Sequence, residues 1–311
     1  MALIVGLVVA VIATPLAARL ATRLGLVAHP GPLRVNTRPV PYLGGLAVFV
    51  ALLAPVVRVR PSMLLPLGLA CALGIADDAT DLSPILRLVV EIGIGVAAAW
   101  VMAPHDAGHV VFGIVVVLVL VNAVNMLDGL DGLAAGVVAL GAAGFFVVLS
   151  GSSATLALTL VGALLGFLVW NAPPARVYLG DAGSYLLGVA LAMLFLSSAL
   201  HPAAAISGAF LFVGVPVADA AVAIIRRLRA HTSPLRGDRG HVYDQLVDRG
   251  WSSRRAVAVC VAAQAVLTGI GIAISPLARS AAIGVALAVV VVVGAGAIAA
   301  FTSPSAWRAD G

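Results

Sequence analysis

The chain contains no lysine; all eighteen of its basic residues are arginine. That absence excludes a Walker P-loop, a Schiff base and a cofactor-bearing lysine. Charge of either sign is also scarce: 10% of the 311 residues are charged and 62% are hydrophobic, where a soluble globular protein has about 25% and about 45–50%. A water-soluble domain is excluded. The two cysteines, Cys71 and Cys260, lie inside apolar runs and are too few for a disulfide framework of the secreted type. Aromatics make up 5% of the chain, and no basic segment is interleaved with base-stacking rings. The net charge of +5 therefore reads as arginine placed for membrane topology, and nucleic acid is not an expected partner.

What the chain has in quantity is apolar runs near the length of about 20 residues that a bilayer span requires. They predict an all-α polytopic membrane protein with eleven helices: 2–21, 43–57, 62–76, 85–103, 110–126, 132–150, 154–170, 184–200, 203–225, 255–274 and 280–301. The first run is followed, not preceded, by Arg19 and Arg23, the reverse of a cleavable signal peptide, and reads as a retained span. Two polar segments are long, 22–42 and 226–254, and the rest are short, so residues 1–311 read as one membrane-embedded domain. With the N-terminus outside and the C-terminus cytoplasmic, fifteen arginines fall inside, and only Arg58, Arg60 and Arg279 fall outside. The positive-inside rule selects that orientation.

The acids then fall on one side. Asp77, Asp78, Asp81, Asp128, Asp131, Asp181 and Asp219 all lie at or near cytoplasmic helix ends. A carboxylate costs about 2.5–3.5 kcal/mol at the centre of a span and less toward its ends, so this gathering calls for a divalent cation or arginine. Asp77-Asp78-Ala79-Thr80-Asp81 is an oxygen-rich array that Mg²⁺ and a diphosphate can share. Its plainer alternative is a solvated helix end with Asp81 as the N-cap of the next helix. In the stretch 122–133, Asn122 and Asn125 lie one turn apart, and two Asp-Gly steps aim Asp128 and Asp131 at one surface. A polar turn explains the Asp-Gly steps but not two amides inside an apolar run. Around Asp181, small residues including Gly183 let a phosphate or metal approach the backbone where Ser184 begins a helix. Asp181 is the leading metal-ligand candidate; the alternative is an ordinary capped loop. In the loop 226–254, Arg226 and Arg227 beside a helix end read as topological markers, whereas Arg239 and His241 read as phosphate ligands.

These segments, in this order, resemble the polyprenyl-phosphate N-acetylhexosamine-1-phosphate transferases over about residues 25–250. The stretch from Thr37 to Gly45 and the Pro216-Val217-Ala218-Asp219 segment ahead of Arg226-Arg227 add to the likeness. Asp81 at the end of the acidic motif is similar to the bacterial GlcNAc-1-phosphate branch, since the phospho-MurNAc-pentapeptide branch has lysine there. The resemblance implies eleven helices in the inner or plasma membrane with a cytoplasmic catalytic face built from loops 22–42, 77–84, 127–131, 171–183 and 226–254. It also implies Mg²⁺ dependence, with Mn²⁺ as an alternative ion. The implied reaction is attack of a polyprenyl phosphate on a UDP-sugar, most simply UDP-GlcNAc, with release of UMP and initiation of a cell-envelope glycan. Asn125 and Asp181 would hold the ion; Asp77 and Asp78 would orient or deprotonate the lipid phosphate, with positioning favoured; Asp81 counts with them among the catalytic acids; Asp128 and Asp131 would serve the nucleotide-sugar side. Asn122, Gly183 and Ser184 would contact substrate, and Arg239 with His241 would bind the sugar nucleotide's phosphates. Gly214 and Pro216 predict a kink in the ninth helix, beside the groove for the lipid tail. A homodimer is left open.

The chain departs from the family pattern in three places. Arg34, Val35 and Asn36 stand where typical members carry Lys and His, which would either pass a phosphate contact to Arg34 or Arg38 or lose it. His241-Val242-Tyr243-Asp244 stands for His-x-His-His, and His29-Pro30-Gly31-Pro32 for Asp-x-Pro-Asn. Outside the motifs, His105, Asp106 and His109 lack a third strong ligand for zinc. Glu91, one turn after Arg87, reads as its intrahelical partner. Asp219 either pairs with an arginine or lines the site, and His201 and His231 read as interfacial loop residues. The alternative within the family is the same fold with another UDP-sugar or with little turnover, and two other classes compete. A membrane prenyltransferase would need a second similar Asp-rich repeat, and a transporter would place its polar groups near the midplane of repeated halves.

Overall fold

A computed structural model describes residues 1–29, 38–102, 106–199, 204–233, 238–277 and 279–302. Among these are thirteen α-helices: α1 (Ala2–Leu24), α2 (Gly44–Val59), α3 (Leu64–Thr80), α4 (Pro84–Met102), α5 (Ala107–Leu127), α6 (Leu133–Val148), α7 (Gly151–Asn171), α8 (Gly180–Ala199), α9 (Ala204–Phe212), α10 (Gly214–Arg229), α11 (Val242–Asp248), α12 (Ser253–Ile274) and α13 (Arg279–Phe301). Helix is the form an apolar chain takes in lipid, because every backbone N–H and C=O must find its partner within the segment. Eight of the helices are long and apolar enough to cross a membrane, and α9 with α10 makes a ninth if the bent pair is one span. The apolar α2 and α6 are shorter, at 16 residues each. The chain is an all-α polytopic membrane protein, apart from one pair of two-residue strands.

Several boundaries differ from those the sequence predicts. The third helix runs on to Thr80, so Asp77 and Asp78 are helical, and α8 begins at Gly180, four residues earlier than expected. The loop 226–254 contains a short helix, α11, that hydropathy did not mark. Residues Val27–Ala28 (β1) and Val40–Pro41 (β2) pair antiparallel, Val27 opposite Pro41, where a plain loop was expected. Gly25, with φ 73°, turns the chain out of α1 into this pair. The expected kink of the ninth helix is present as a 64° bend between α9 and α10. Its freed backbone groups are met by Gln264 of α12, whose Oε1 accepts from Val215 N at 3.1 Å and whose Nε2 donates to Leu211 O and Phe212 O.

At the centre stands α8, buried along almost its whole length and packed against α2, α3 and α5. Two glycine contacts set how closely the neighbours approach its first turn. A Cβ on Gly45 would fall 2.1 Å from Gly183 N, and one on Gly74 would fall 2.2 Å from Asp181 O. Helices α2 and α3 therefore touch α8 backbone to backbone at the end where the acids gather.

Candidate active site

The contact at Gly74 brings the end of α3 onto the start of α8. There Asp78 Oδ1 accepts from Asp181 N at 3.1 Å and Oδ2 from Ala182 N at 3.2 Å. The first N–H groups of a helix have no partner within it. Here a carboxylate about a hundred residues away in sequence caps them. That long-range cap explains why α8 starts at Gly180, which takes φ 72° to enter it, rather than at Ser184. The preceding segment is pinned from the other side: Tyr178 N donates to Pro41 O at 2.9 Å, and Gly44 N and Gly45 N donate to Tyr178 O and Leu179 O.

The turn between α5 and α6 completes the arrangement. Asn125 Nδ2 donates to Asp181 Oδ1 at 2.8 Å and to Ser184 Oγ at 3.1 Å. Asp131 Oδ2 accepts from Ala175 N at 2.8 Å, and Asn171 bridges the two loops, accepting from Gly132 N and donating to Val177 O. Asp78, Asn125, Asp128, Asp131 and Asp181 together line one cavity of about 380 Å³, with Tyr42 and Tyr178 in its wall. Burial pushes the Asp128 carboxyl well above its ordinary range, and the carboxylates of Asp181, Asp78 and Asp131 push it the same way. No three His, Cys, Asp or Glu side chains converge as a closed metal cluster among the described residues. The donors present are hard oxygens on one carboxylate-rich wall, which suits an ion held by one or two carboxylates and by substrate phosphate.

A second cavity, about 680 Å³, runs between α4, α5 and α10. Leu88, Leu118, Val119, Val217 and Ile224 make it apolar, while Arg87, Asn122, Arg227 and His241 supply polar groups along it. Asn125 lines both cavities. Asp77 is buried behind this groove, its Oδ2 3.0 Å from Arg87 Nη1 and accepting from Tyr185 Oη. Tyr243 donates to Met126 O at 2.9 Å and packs against Gly129, tying α11 to the α5–α6 turn.

The expected site residues divide accordingly. Asp78, Asn125, Asp128, Asp131 and Asp181 meet in the acidic cavity, while Asn122 and His241 line the groove instead. Asp81 is exposed at the end of α3 with φ 52°, closing that helix rather than capping the next. Gly183 packs against Gly45, and Ser184 is buried; neither is among the residues lining the two cavities. Arg38 and Arg239 are exposed, Arg239 lying 3.7 Å from Asp244, and Arg34 lies outside the described residues. Three pairings correct the sequence reading. Arg226 and Arg227 are more than topological markers, since both bind Asp238, at 2.7 and 3.1 Å. Glu91 accepts from Asn122 at 2.8 Å, while Arg87 turns to Asp77. Among the described residues Asp219 pairs with His241 rather than with an arginine. Sequence reasoning missed Asn171 and Tyr185; a lone amide or a tyrosine at the end of an apolar run was the available signal.

The model for glycosyl transferase family 4 matches residues 61–199, which hold both Asp motifs and Asp181. A decaprenyl-phosphate N-acetylglucosaminephosphotransferase of Mycolicibacterium smegmatis is 30% identical over 313 residues, covering 82% of this chain and 77% of that protein. The chain belongs to glycosyl transferase family 4. Other relatives in the family agree in extent. A probable undecaprenyl-phosphate N-acetylglucosaminyl 1-phosphate transferase of Bacillus subtilis is 28% identical over 83% of this chain and 80% of its own length. An undecaprenyl-phosphate alpha-N-acetylglucosaminyl 1-phosphate transferase of Yersinia pestis is 29% identical over 82% and 79%. As a member of glycosyl transferase family 4 with these relatives, the protein is a phosphoglycosyl transferase.

Proposed function

We propose that the protein transfers GlcNAc-1-phosphate from UDP-GlcNAc to a polyprenyl phosphate. An oxygen of the lipid phosphate attacks the β-phosphorus of the sugar nucleotide, a new P–O–P bond forms, and the bond to UMP breaks. The observation that carries this reading is the pair of cavities sharing Asn125: one is acidic and polar, and the other is mostly apolar, with Arg87, Arg227 and His241 beside Glu91 and Asp238. The groove suits a prenyl chain whose phosphate lies near Arg87; the acidic cavity suits a diphosphate, with Tyr42 and Tyr178 offering faces to a base. Both names of the lipid in the relatives, undecaprenyl and decaprenyl phosphate, fit a groove of this character. Asp181 and Asn125 would hold Mg²⁺, with Asp78 and Asp128 beside them. The ion, when bound, would neutralise charge developing on the diphosphate.

Asp77 and Asp78 act in this scheme by placement. Asp77 orients Arg87, and Asp78 fixes the backbone that carries Asp181. A phosphate monoester largely ionised at pH 7 has little need of a base. The arginine distribution supports a site on the cytoplasmic side with the N-terminus outside.

The test is UMP release by purified protein in detergent, given polyprenyl phosphate, UDP-GlcNAc and Mg²⁺. The expected result is lipid- and Mg²⁺-dependent UMP, reduced by at least about a hundredfold in Asp181→Asn, the scale of losing one electrostatic stabiliser of a transition state. Absence of UMP from UDP-GlcNAc and from a panel of other UDP-sugars would overturn the proposal. Release of pyrophosphate from a prenyl diphosphate would replace it with prenyl transfer.

A further inference from the structure

His241 sits in the groove wall with its ring held on two sides. Its Nδ1 lies 2.8 Å from Asp219 Oδ2, and its face is stacked on Tyr243 at 5.4 Å with the ring planes 7° apart. Asp219 is itself 3% exposed, and its second oxygen accepts from Val242 N at 2.7 Å. One carboxylate of α10 thus grips both the imidazole and the backbone beside it. No hydrogen bond occupies Nε2 among the described residues, and His241 lines the same groove as Arg87 and Asn125. A carboxylate at Nδ1 keeps a proton on that nitrogen and sets the direction of the other. A ring that carries a proton on both nitrogens donates from each, so with Nδ1 on Asp219 the second donor is Nε2.

The geometry points to Asp219 as a positioning residue that acts through His241, holding the imidazole with Nε2 turned into the groove as a donor to a substrate phosphate oxygen. This deepens the transferase reading and rests on it, because it needs a phosphate within reach of His241. An arginine there would need no such support. Histidine does, since an unanchored ring rotates about two bonds and loses its donor direction.

The test is a double-substitution cycle in the UMP-release assay with UDP-GlcNAc and polyprenyl phosphate, using Asp219→Asn, His241→Asn and the pair. We expect each single substitution to lower kcat/KM by about tenfold or more and the double to be no worse than His241→Asn alone. Asp219→Glu, which keeps the carboxylate, should recover part of the loss. Two effects that multiply in the double, or an Asp219→Asn enzyme as active as the parent, would overturn the assignment. So would a chain that folds with neither Asn nor Glu at 219, as judged by its melting in detergent, because Asp219 would then serve only to hold the loop through Val242. If His241→Asn costs nothing while Asp181→Asn abolishes activity, the role of His241 fails and the transferase reading stands. If no parent activity is found, that reading fails with it.

Discussion

Asn125 donates from Nδ2 to both Asp181 and Ser184, and it lines both cavities. In the proposed reaction a residue so placed would stand between the two substrates, and Asn122, one turn earlier, is spent on Glu91 instead. The acids differ in a similar way. Asp238 is held by Arg226 and Arg227; burial pushes its carboxyl up, but the hydrogen bonds from Arg227 and Arg226 outweigh that and hold it below the ordinary carboxylate range. A carboxyl whose folded value is depressed stabilises the fold above its unfolded value and loses that contribution as pH falls through the folded one. Docking of the segment at Asp238 onto α10 should therefore be intact at neutral pH and weaken only below the usual range of an aspartate. Limited proteolysis beside Asp238, at the exposed Arg239, in detergent against pH checks this. Asp238→Asn should leave the segment cleavable at neutral pH and flatten the acid-dependent rise.

Helices α2 and α3 reach α8 only because Gly45 and Gly74 carry no side chain. Adding a methyl at Gly74 must move Asp181 or Ala182, both held to Asp78 by backbone N–H groups. Overpacking of this type costs about 1–3 kcal/mol. Gly74→Ala is expected to lower the melting temperature in detergent by several degrees and UMP release by more than tenfold, whereas Gly93→Ala, with open space around its Cβ, should leave both near the parent values. Equal behaviour of the two variants would show that the α3–α8 contact does not set the site. This contact also marks where reading the sequence stops. The Asp motifs and their residence at helix ends were legible, because carboxylates inside apolar runs are conspicuous. That Asp78 caps α8 was not legible, since the capped N–H groups lie at residues 181 and 182. The same holds for the β1–β2 pair, too short for any period, and for the Asp219–His241 and Arg226–Asp238 pairings, which join an apolar helix to a polar loop.

For the whole molecule, hydropathy gave the all-helical, multi-pass architecture, because lipid leaves a chain few alternatives to helix; against the eleven spans expected, eight of the described helices are long and apolar enough to cross, or nine with the bent pair. It could not give the cavities, one lined by α4, α5 and α10 and the other by stretches of helix and loop far apart in the sequence. Orientation rests on the arginines, and it decides whether the acidic cavity can meet a cytoplasmic sugar nucleotide. Both native cysteines are buried, so replacing Cys71 and Cys260 with serine leaves a background for single labels. Ser62, exposed in the turn before α3, and Asp248, exposed at the end of α11, lie on opposite sides in the proposed topology. Ser62→Cys should react with a membrane-impermeant maleimide in intact cells, and Asp248→Cys only after permeabilisation. The reverse pattern would put Asp78, Asp128 and Asp181 outside the cell, away from any UDP-sugar pool, and a transferase using that donor could not then work in this membrane.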